Sequence, residues 1–482
     1  MQKILLTAAL AALGLLPLQG QAFDTLRTGI HQAESEYYSG ILDRALFDDN
    51  VKVPIPSRLK SAKGSLLSHK VYGWHPYWAA ASAYLSYDYD ALTHIAYFSY
   101  EVDTATGGYS TLRGWNTTPL IDYAHQRNVK VTLTVTNFGT ARNVELLSDS
   151  VKQRFLFTTL VQQLKSRNGD GVNFDLESVP ASQKANMVEF CRRAVRMIKA
   201  ELPQAEISLA TPAVDWSSAW DYRALSGICD YLIVMGYNYY WSGSSTAGPV
   251  APLTGETYNV TRSVDTYLNA GVPPEKLLLG VPWYGYDWPV VSSERKAATT
   301  GTGTSRFYNA AKDLASTYGK TFDQATGVPW SSYSVSSQWR QLWYDDSLSL
   351  TMKNDLVKSK NLGGIGIWAL SYQGTGNELW RSIKASYSSA APEICQITKI
   401  VPNPVTGEAV ISYSVPSKGH VTMKLIDISG NVRAVLVNHD LEPGFYDQNF
   451  NCSGFSDGIY ICVLQTPSGR VSKKIAVLKS DR

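Results

Sequence analysis

From about Lys70 to about Ser388 one rhythm recurs: a short run of β-branched or aromatic residues, a polar loop, then a stretch with helical spacing. The strand candidates are Val71–Gly73, His94–Phe98, Lys130–Thr136, Gly171–Leu176, Glu206–Thr211, Tyr231–Tyr237, Lys276–Val281 and Gly364–Leu370. Helical patterns lie between them over Ser150–Arg167, Ser182–Leu202, Asn259–Asn269 and Leu348–Lys360, some opened by Ser or Asn as caps. Eight strand–helix units of this total length predict an α/β protein built on a (β/α)8 TIM barrel spanning residues 70–388, with its functional groups at the C-terminal ends of the strands. One interval breaks the rhythm. Residues 284–346, between strands seven and eight, are too long for a plain loop and predict a small inserted subdomain walling one side of the cleft.

The 482 residues exceed one ordinary domain, and a 44% hydrophobic composition suffices for a substantial core. Residues 1–22 carry Lys3, an apolar run from Ile4 to Leu18 and then Gly20-Gln21-Ala22, the pattern of a secretory signal peptide. That run is too short to span a bilayer and no second one follows, so no transmembrane segment is expected. Residues 23–69 are polar, without a clear period after Ala45, and read as an N-terminal extension with no catalytic content. After Ser388 a Ser-Ser-Ala-Ala-Pro stretch marks a linker. Beyond it Val421, Met423 and Leu425 alternate with Thr422 and Lys424 between glycine turns, which predicts a C-terminal β-sandwich over residues 393–482.

A net charge of only +3, with both signs interspersed, gives no footprint for nucleic acid or an anionic membrane. The five cysteines are scattered and odd in number, which fits neither a disulfide framework nor a spaced metal site. Cys452 with Cys462 is a candidate bridge, and Cys191 falls at helical spacing among Met187, Phe190, Ala194 and Ile198 as a core residue. No metal or cofactor is expected, and nothing indicates an oligomer.

Gly169–Glu177 carries the chemistry. On a strand, Asn173, Asp175 and Glu177 share one face while Phe174 and Leu176 share the other. Unpaired buried charge is costly, so two carboxylates and an amide aligned at a strand's end read as a reactive site rather than as core. The 29 Tyr and 13 Trp suit a protein that stacks rings on sugar faces. Trp74, Trp78, Trp216, Trp241, Trp283 and Trp288 all follow strand candidates and are candidates to line sugar subsites, with loop packing the alternative for half of them.

These residues resemble family 18 glycoside hydrolases, the chitinase family. Asp170-Gly-Val-Asn-Phe-Asp-Leu-Glu177 is similar to the D-x-x-D-x-D-x-E signature, with Asn173 replacing the second acid. Met235-Gly-Tyr-Asn238 resembles M-x-Y-D at strand six, Lys276–Gly285 the strand-seven segment, and Gly364–Trp368 strand eight with its floor tryptophan. The resemblance implies a retaining, substrate-assisted mechanism in which the sugar's own N-acetyl group attacks the anomeric carbon. It assigns Glu177 as general acid and then base, Asp175 as the group orienting the acetamido N–H, and Tyr237 as donor to the acetamido carbonyl. Trp368 becomes the apolar floor, and Asn173, Met235, Asn238, Trp283 and Trp74 join it in substrate binding.

The implied substrate is a β-1,4-linked N-acetylglucosamine polymer, chitin or chito-oligosaccharides. Two departures, Asn173 and Asn238, each an amide where the family usually keeps an acid, hold open peptidoglycan or N-glycan cores. At Asn173 the hydrogen bond to the middle aspartate is expected without the charge coupling, with a shifted pH optimum. The strand-three Ser-x-Gly-Gly pattern is degenerate, as Thr136-Asn-Phe-Gly139. A non-catalytic chitin-binding lectin is the alternative from another class; family members of that kind typically lose the glutamate, which is present here as Glu177.

The C-terminal unit resembles the sorting domain of the type IX secretion system of Bacteroidetes, on Pro402-Asn-Pro404, Asp427-Ile-Ser-Gly430, Pro443-Gly-Phe-Tyr446, Gly458-Ile-Tyr460 and Lys473-Lys474. That implies the type IX machinery as a partner and a secreted or cell-surface destination. A carbohydrate-binding module of similar shape is the competing reading.

Overall fold

The computed structural model describes residues 29–41, 67–388 and 394–478. The signal-peptide segment, most of the N-terminal extension and the linker after Ser388 fall outside the described residues. Eight parallel strands form the barrel: β1 (Lys70–Pro76), β2 (His94–Val102), β4 (Lys130–Phe138), β5 (Gly171–Glu177), β6 (Glu206–Pro212), β7 (Tyr231–Met235), β8 (Leu277–Pro282) and β14 (Gly364–Trp368). Pairing of β1 with both β14 and β2 closes it, and the hairpin strand β3 (Tyr109–Thr111) adds an antiparallel edge to β2. The expected TIM barrel is therefore present, each strand candidate within a few residues of its observed element.

Two local differences have clear causes. The helix Ser150–Arg167 is capped by Asp149, whose carboxylate accepts from the Val151 and Lys152 amides, so Ser150 lies inside it; Asn259 does cap its helix, accepting from the Arg262 amide at 2.8 Å. Strand β7 stops at Met235, before Tyr237. A Cβ on Gly236 would sit 2.7 Å from the Gly280 carbonyl oxygen, and one on Gly280 would sit 2.6 Å from that of Val234 and 3.0 Å from the Tyr237 ring. Only glycines allow this approach of β7 and β8, and the space they leave is taken by the Tyr237 ring as the chain turns off the strand.

The interior is filled by large side chains and a polar chain of contacts. Trp74 from β1 reaches across to Gly366 of β14, where a Cβ would stand 3.1 Å from its ring. Its Nε1 donates to Asn173 Oδ1 at 2.9 Å, and Asn173 Nδ2 donates to Ser208 Oγ at 2.9 Å, so buried polar groups are paired.

Between β8 and β14 the chain forms a five-stranded antiparallel sheet of β9 (Tyr284–Val290), β10 (Thr304–Phe307), β11 (Thr321–Asp323), β12 (Val328–Val335) and β13 (Gln338–Tyr344), in the order β10-β9-β13-β12-β11. This is the expected insertion. Its β9 and β13 are joined by Arg340, which grips the fully buried Asp287 carboxylate through Nε and a terminal nitrogen.

The C-terminal unit has two antiparallel sheets, of three and four strands, around Val421, Met423 and Leu425. The candidate Cys452–Cys462 bridge is absent: all five cysteines are free. Cys452 follows the strand Gly444–Asn451 of one sheet and Cys462 lies on Gly458–Thr466 of the other, and both are buried as small apolar side chains. Cys191 is likewise a buried core residue, its thiol beside Cys229 and shifted well above the usual thiol range.

The N-terminal extension contains the largest departure from expectation. Residues Ile30–Ile41 form a helix, α1, seated in the mouth of the barrel. Ile30, His31, Glu34 and Ser35 are buried, with Glu36, Tyr37 and Ser39 on the exposed side.

Candidate active site

The period-2 geometry of β5 delivers Asn173, Asp175 and Glu177 to the barrel interior at successive depths. The deepest, Asn173, has its amide engaged by Trp74 and Ser208. It makes no hydrogen bond with Asp175, which corrects the expectation that this bond would persist: Asn173 lies beneath the site. Asp175 is fully buried, and Glu177 is 7% exposed at the strand's end. The Glu177 backbone carbonyl accepts from Gly139 N at 3.2 Å and from Asn143 Nδ2 at 2.5 Å, so the end of β4 and the helix after it fix where the acid projects. That is the role left to the degenerate strand-three segment.

Burial, then the Asp175 carboxylate and Glu36, hold the Glu177 carboxyl well above the usual carboxylate range. A carboxyl raised in this way suits a proton donor. Tyr237 enters from the turn after β7, and burial followed by the charges of Asp175, Glu177 and Glu34 raises its phenol, so it remains a donor. Trp368, at the end of β14, is fully buried and lies edge-on to Phe98 with ring centres 5.1 Å apart. Trp74 sits below it at 6.1 Å.

Other expected residues divide. Met235 and Asn238 line an open groove of about 170 Å³ that starts at Glu177 and includes Asp215, Trp216, Trp220 and Tyr258. Asn238 adopts φ 60, a left-handed conformation that Asn tolerates, and its Oδ1 accepts from Tyr284 OH at 2.8 Å. Trp78 reaches the cleft, donating through Nε1 to Tyr372 OH at 2.9 Å. Trp283 does not: its ring meets Trp380 edge-on at 4.7 Å, on the helix Glu378–Tyr387, because the residue after β8 turns its side chain outward from the barrel. Trp288, on β9 of the insertion, is fully buried and donates to the carbonyl of Trp241 in the loop after β7.

Two residues that sequence reasoning missed complete the site, both from α1. His31 Nδ1 lies 2.7 Å from Asp175 Oδ2, its Nε2 lies 2.8 Å from Tyr237 OH, and its ring stacks on Trp368 with centres 3.6 Å apart. An imidazole with its proton on Nδ1 donates to Asp175 and accepts from Tyr237 in this arrangement. Glu34 accepts from Trp368 Nε1 at 3.0 Å, Tyr372 OH at 2.6 Å and Ser305 Oγ at 3.3 Å. Burial pushes its carboxyl up to about 7 against the opposing effect of those hydrogen bonds. His31, Asp175 and Glu177 also bring potential metal-ligand atoms within 4.8 Å of one another, but the 2.7 Å contact has hydrogen-bond geometry and the second imidazole nitrogen is engaged by Tyr237. The sequence signal for these residues was the spacing 30, 31, 34, 35, 38, a helical face that carries His and Glu in place of apolar residues.

Comparison with known proteins agrees with this architecture. Residues 71–373 match the model for glycosyl hydrolases family 18, and the chain belongs to that family; the protein is a glycoside hydrolase. Residues 399–478 match the secretion system C-terminal sorting domain, which marks the protein for type IX export to the cell surface or beyond. Among relatives, the chain is 26% identical over 315 residues to a cortical fragment-lytic enzyme of Bacillus anthracis, covering 62% of this chain and 68% of that one. It is 26% identical over 342 residues to the di-N-acetylchitobiase of Homo sapiens, covering 62% and 80%. Across such relatives the chain spans from 61% of their length upward. A chitinase of this family from Cycas revoluta, solved in complex with (GlcNAc)3, shares the fold at a TM-score of 0.60, with 19% identity over 66% of this chain and 99% of that one. Among the described residues no helix is long and apolar enough to cross a membrane.

Proposed function

We propose that the protein hydrolyses β-1,4 bonds of N-acetylglucosamine polymers, chitin or chito-oligosaccharides, with retention and with the substrate's acetamido group as nucleophile. The observation that carries this reading is the pairing of Asp175 and Tyr237. One planar group, the His31 imidazole, presents an N–H to the carboxylate and a lone pair to the phenol while resting on Trp368. An acetamido group offers the same two functions, an N–H and a carbonyl oxygen, on a sugar whose apolar face suits an indole floor.

In this mechanism Asp175 accepts the acetamido N–H and holds the carbonyl oxygen toward the anomeric carbon. Tyr237 donates to that oxygen. As the oxygen attacks, positive charge develops on the ring being formed, and the adjacent Asp175 carboxylate stabilises it. Glu177 gives its proton to the departing glycosidic oxygen and then, ionised, takes one from the water that opens the intermediate. Its raised pKa and position at the head of the open groove support the donor role.

Bacterial relatives whose names refer to cortex fragments favour a second reading, the same chemistry on peptidoglycan glycan strands. Separate incubation with a chitin tetramer and with muropeptides, reading product length and anomer, tests both. We expect β-anomeric products from the preferred glycan and near-complete loss of turnover in Glu177→Gln with binding kept. Unchanged turnover in that variant would refute the assignment.

A further inference from the structure

The N-terminal helix is not a bystander. It meets the site along its whole inner face, from the backbone at Gly29, where a Cβ would fall 1.8 Å from Glu177 Oε2, through His31 and Glu34 to Tyr38, which stacks on Trp78 at 5.0 Å and 11°. Tyr77 OH adds a hydrogen bond to the Ser35 carbonyl at 3.0 Å. A buried imidazole and a buried carboxylate on a helix that served only as packing would be costly. Here His31 is matched to Asp175, Tyr237 and Trp368, the groups that the proposed mechanism requires for the sugar, and Glu34 to Trp368, Tyr372 and Ser305 across the cleft.

We propose that α1 is a built-in inhibitor: His31 takes the place of the acetamido group between Asp175 and Tyr237, the helix start abuts Glu177, and the enzyme is latent until this segment leaves the cleft. The inference rests on the substrate reading above, and it names how the same site is regulated. Occupation is exclusive. A sugar stacked on Trp368 would need the volume that the His31 ring fills at 3.6 Å, and an acetamido group would need both hydrogen-bonding partners that His31 now holds. The groove lined by Trp216, Trp220 and Tyr258 stays open beside the seated helix, so a glycan end can rest there while cleavage is blocked. Because the inhibitor is tethered, its effective concentration is high, and weak contacts suffice to hold it.

The test compares the full secreted chain with its His31→Ala, Glu34→Ala variant, each confirmed by mass to retain residues 23–69. Three readouts are taken: kcat/KM on the N-acetylglucosamine tetramer, tetramer affinity in a Glu177→Gln background, and amide exchange of residues 30–41. Seated α1 should be protected in the first chain and exchange freely in the second. The variant should gain at least tenfold in both kcat/KM and affinity. A synthetic peptide of residues 28–42 should then inhibit the variant by raising KM at constant kcat, which a merely structural helix would not do. The proposal is overturned if α1 exchanges freely in the unaltered chain, or if the freed chain binds and cleaves the tetramer with rate and affinity no greater than those of the unaltered chain. Should neither chain bind nor cleave any N-acetylated glycan while α1 is protected in one and free in the other, the substrate reading falls and the seated helix stands.

Discussion

Replacing Tyr237 by Phe removes one oxygen from a fully formed barrel and separates two energies that the structure places on the same hydroxyl. In the proposed transition state that hydroxyl donates to an oxygen drawn into bonding with the anomeric carbon. Loss of a single preorganised donor of this type costs on the order of 10²- to 10³-fold in rate, about 2.7–4 kcal/mol. In the resting protein the same hydroxyl lies in hydrogen-bond contact with His31 Nε2 at 2.8 Å. Its removal leaves a buried nitrogen unpaired, a penalty of about 1–3 kcal/mol against the seated helix, which favours the open cleft by roughly 5- to 150-fold. The two effects oppose each other in the full chain, so Tyr237→Phe there should lose much less activity than the catalytic term alone predicts. In the His31→Ala, Glu34→Ala background the helix term vanishes and the whole loss of about 10²-fold or more should appear. Steady-state kcat/KM on a defined N-acetylglucosamine tetramer in both backgrounds measures the difference. Equal losses in the two, or a loss of less than about threefold in the unseated chain, would refute the double role assigned to this hydroxyl.

Acidity should tighten the latent state. Seating raises the Glu34 carboxyl from its ordinary range to about 7, so the docked helix holds that proton more strongly than the free one; seating is favoured below about 4.5 and weakens as pH rises through 7. The titratable groups around Glu34 are Tyr372, Tyr38 and Tyr237, and the raised Glu177 carboxyl acts in the same direction. The rate ratio between the unseated variant and the full chain should therefore shrink from pH 5 to pH 8, and Glu34→Gln should reduce the slope to the part that Glu177 carries; a slope undiminished by that substitution would count against the assignment. Trp283→Ala should cost about 3–5 kcal/mol of stability, because the ring is buried against Trp380, and KM measured below the lowered Tm should stay unchanged. Thiol titration in denaturant should count five free cysteines, and a value of three would show a bridge that this structure excludes.

The barrel was legible because its signals are local. Each strand is a short apolar run whose neighbours in sequence supply the crossover helix, and eight such units leave few arrangements. The acids of β5 were legible for the same reason: alternation puts Asp175 and Glu177 on one face whatever surrounds the strand. What Asn173 bonds to was not legible, since its partners Trp74 and Ser208 come from other strands and only closure of the barrel brings them within 2.9 Å. Trp283 followed a strand as Trp368 ended one, yet their side chains part to opposite sides of the wall, a difference set by one residue of register.

The N-terminal helix marks the limit most clearly. His31 and Asp175 stand 144 residues apart, and Glu34 and Trp368 stand 334 apart. No pattern within the twelve residues of this helix says which distant cleft will satisfy a histidine and a glutamate. Sequence alone settled the strand faces, the acids at the barrel's mouth and the sandwich that follows, because hydrophobic period and side-chain alternation act over a few residues. Tertiary structure decided which of those groups meet and what occupies them, because pairing a buried charge depends on partners that only folding brings within hydrogen-bond reach.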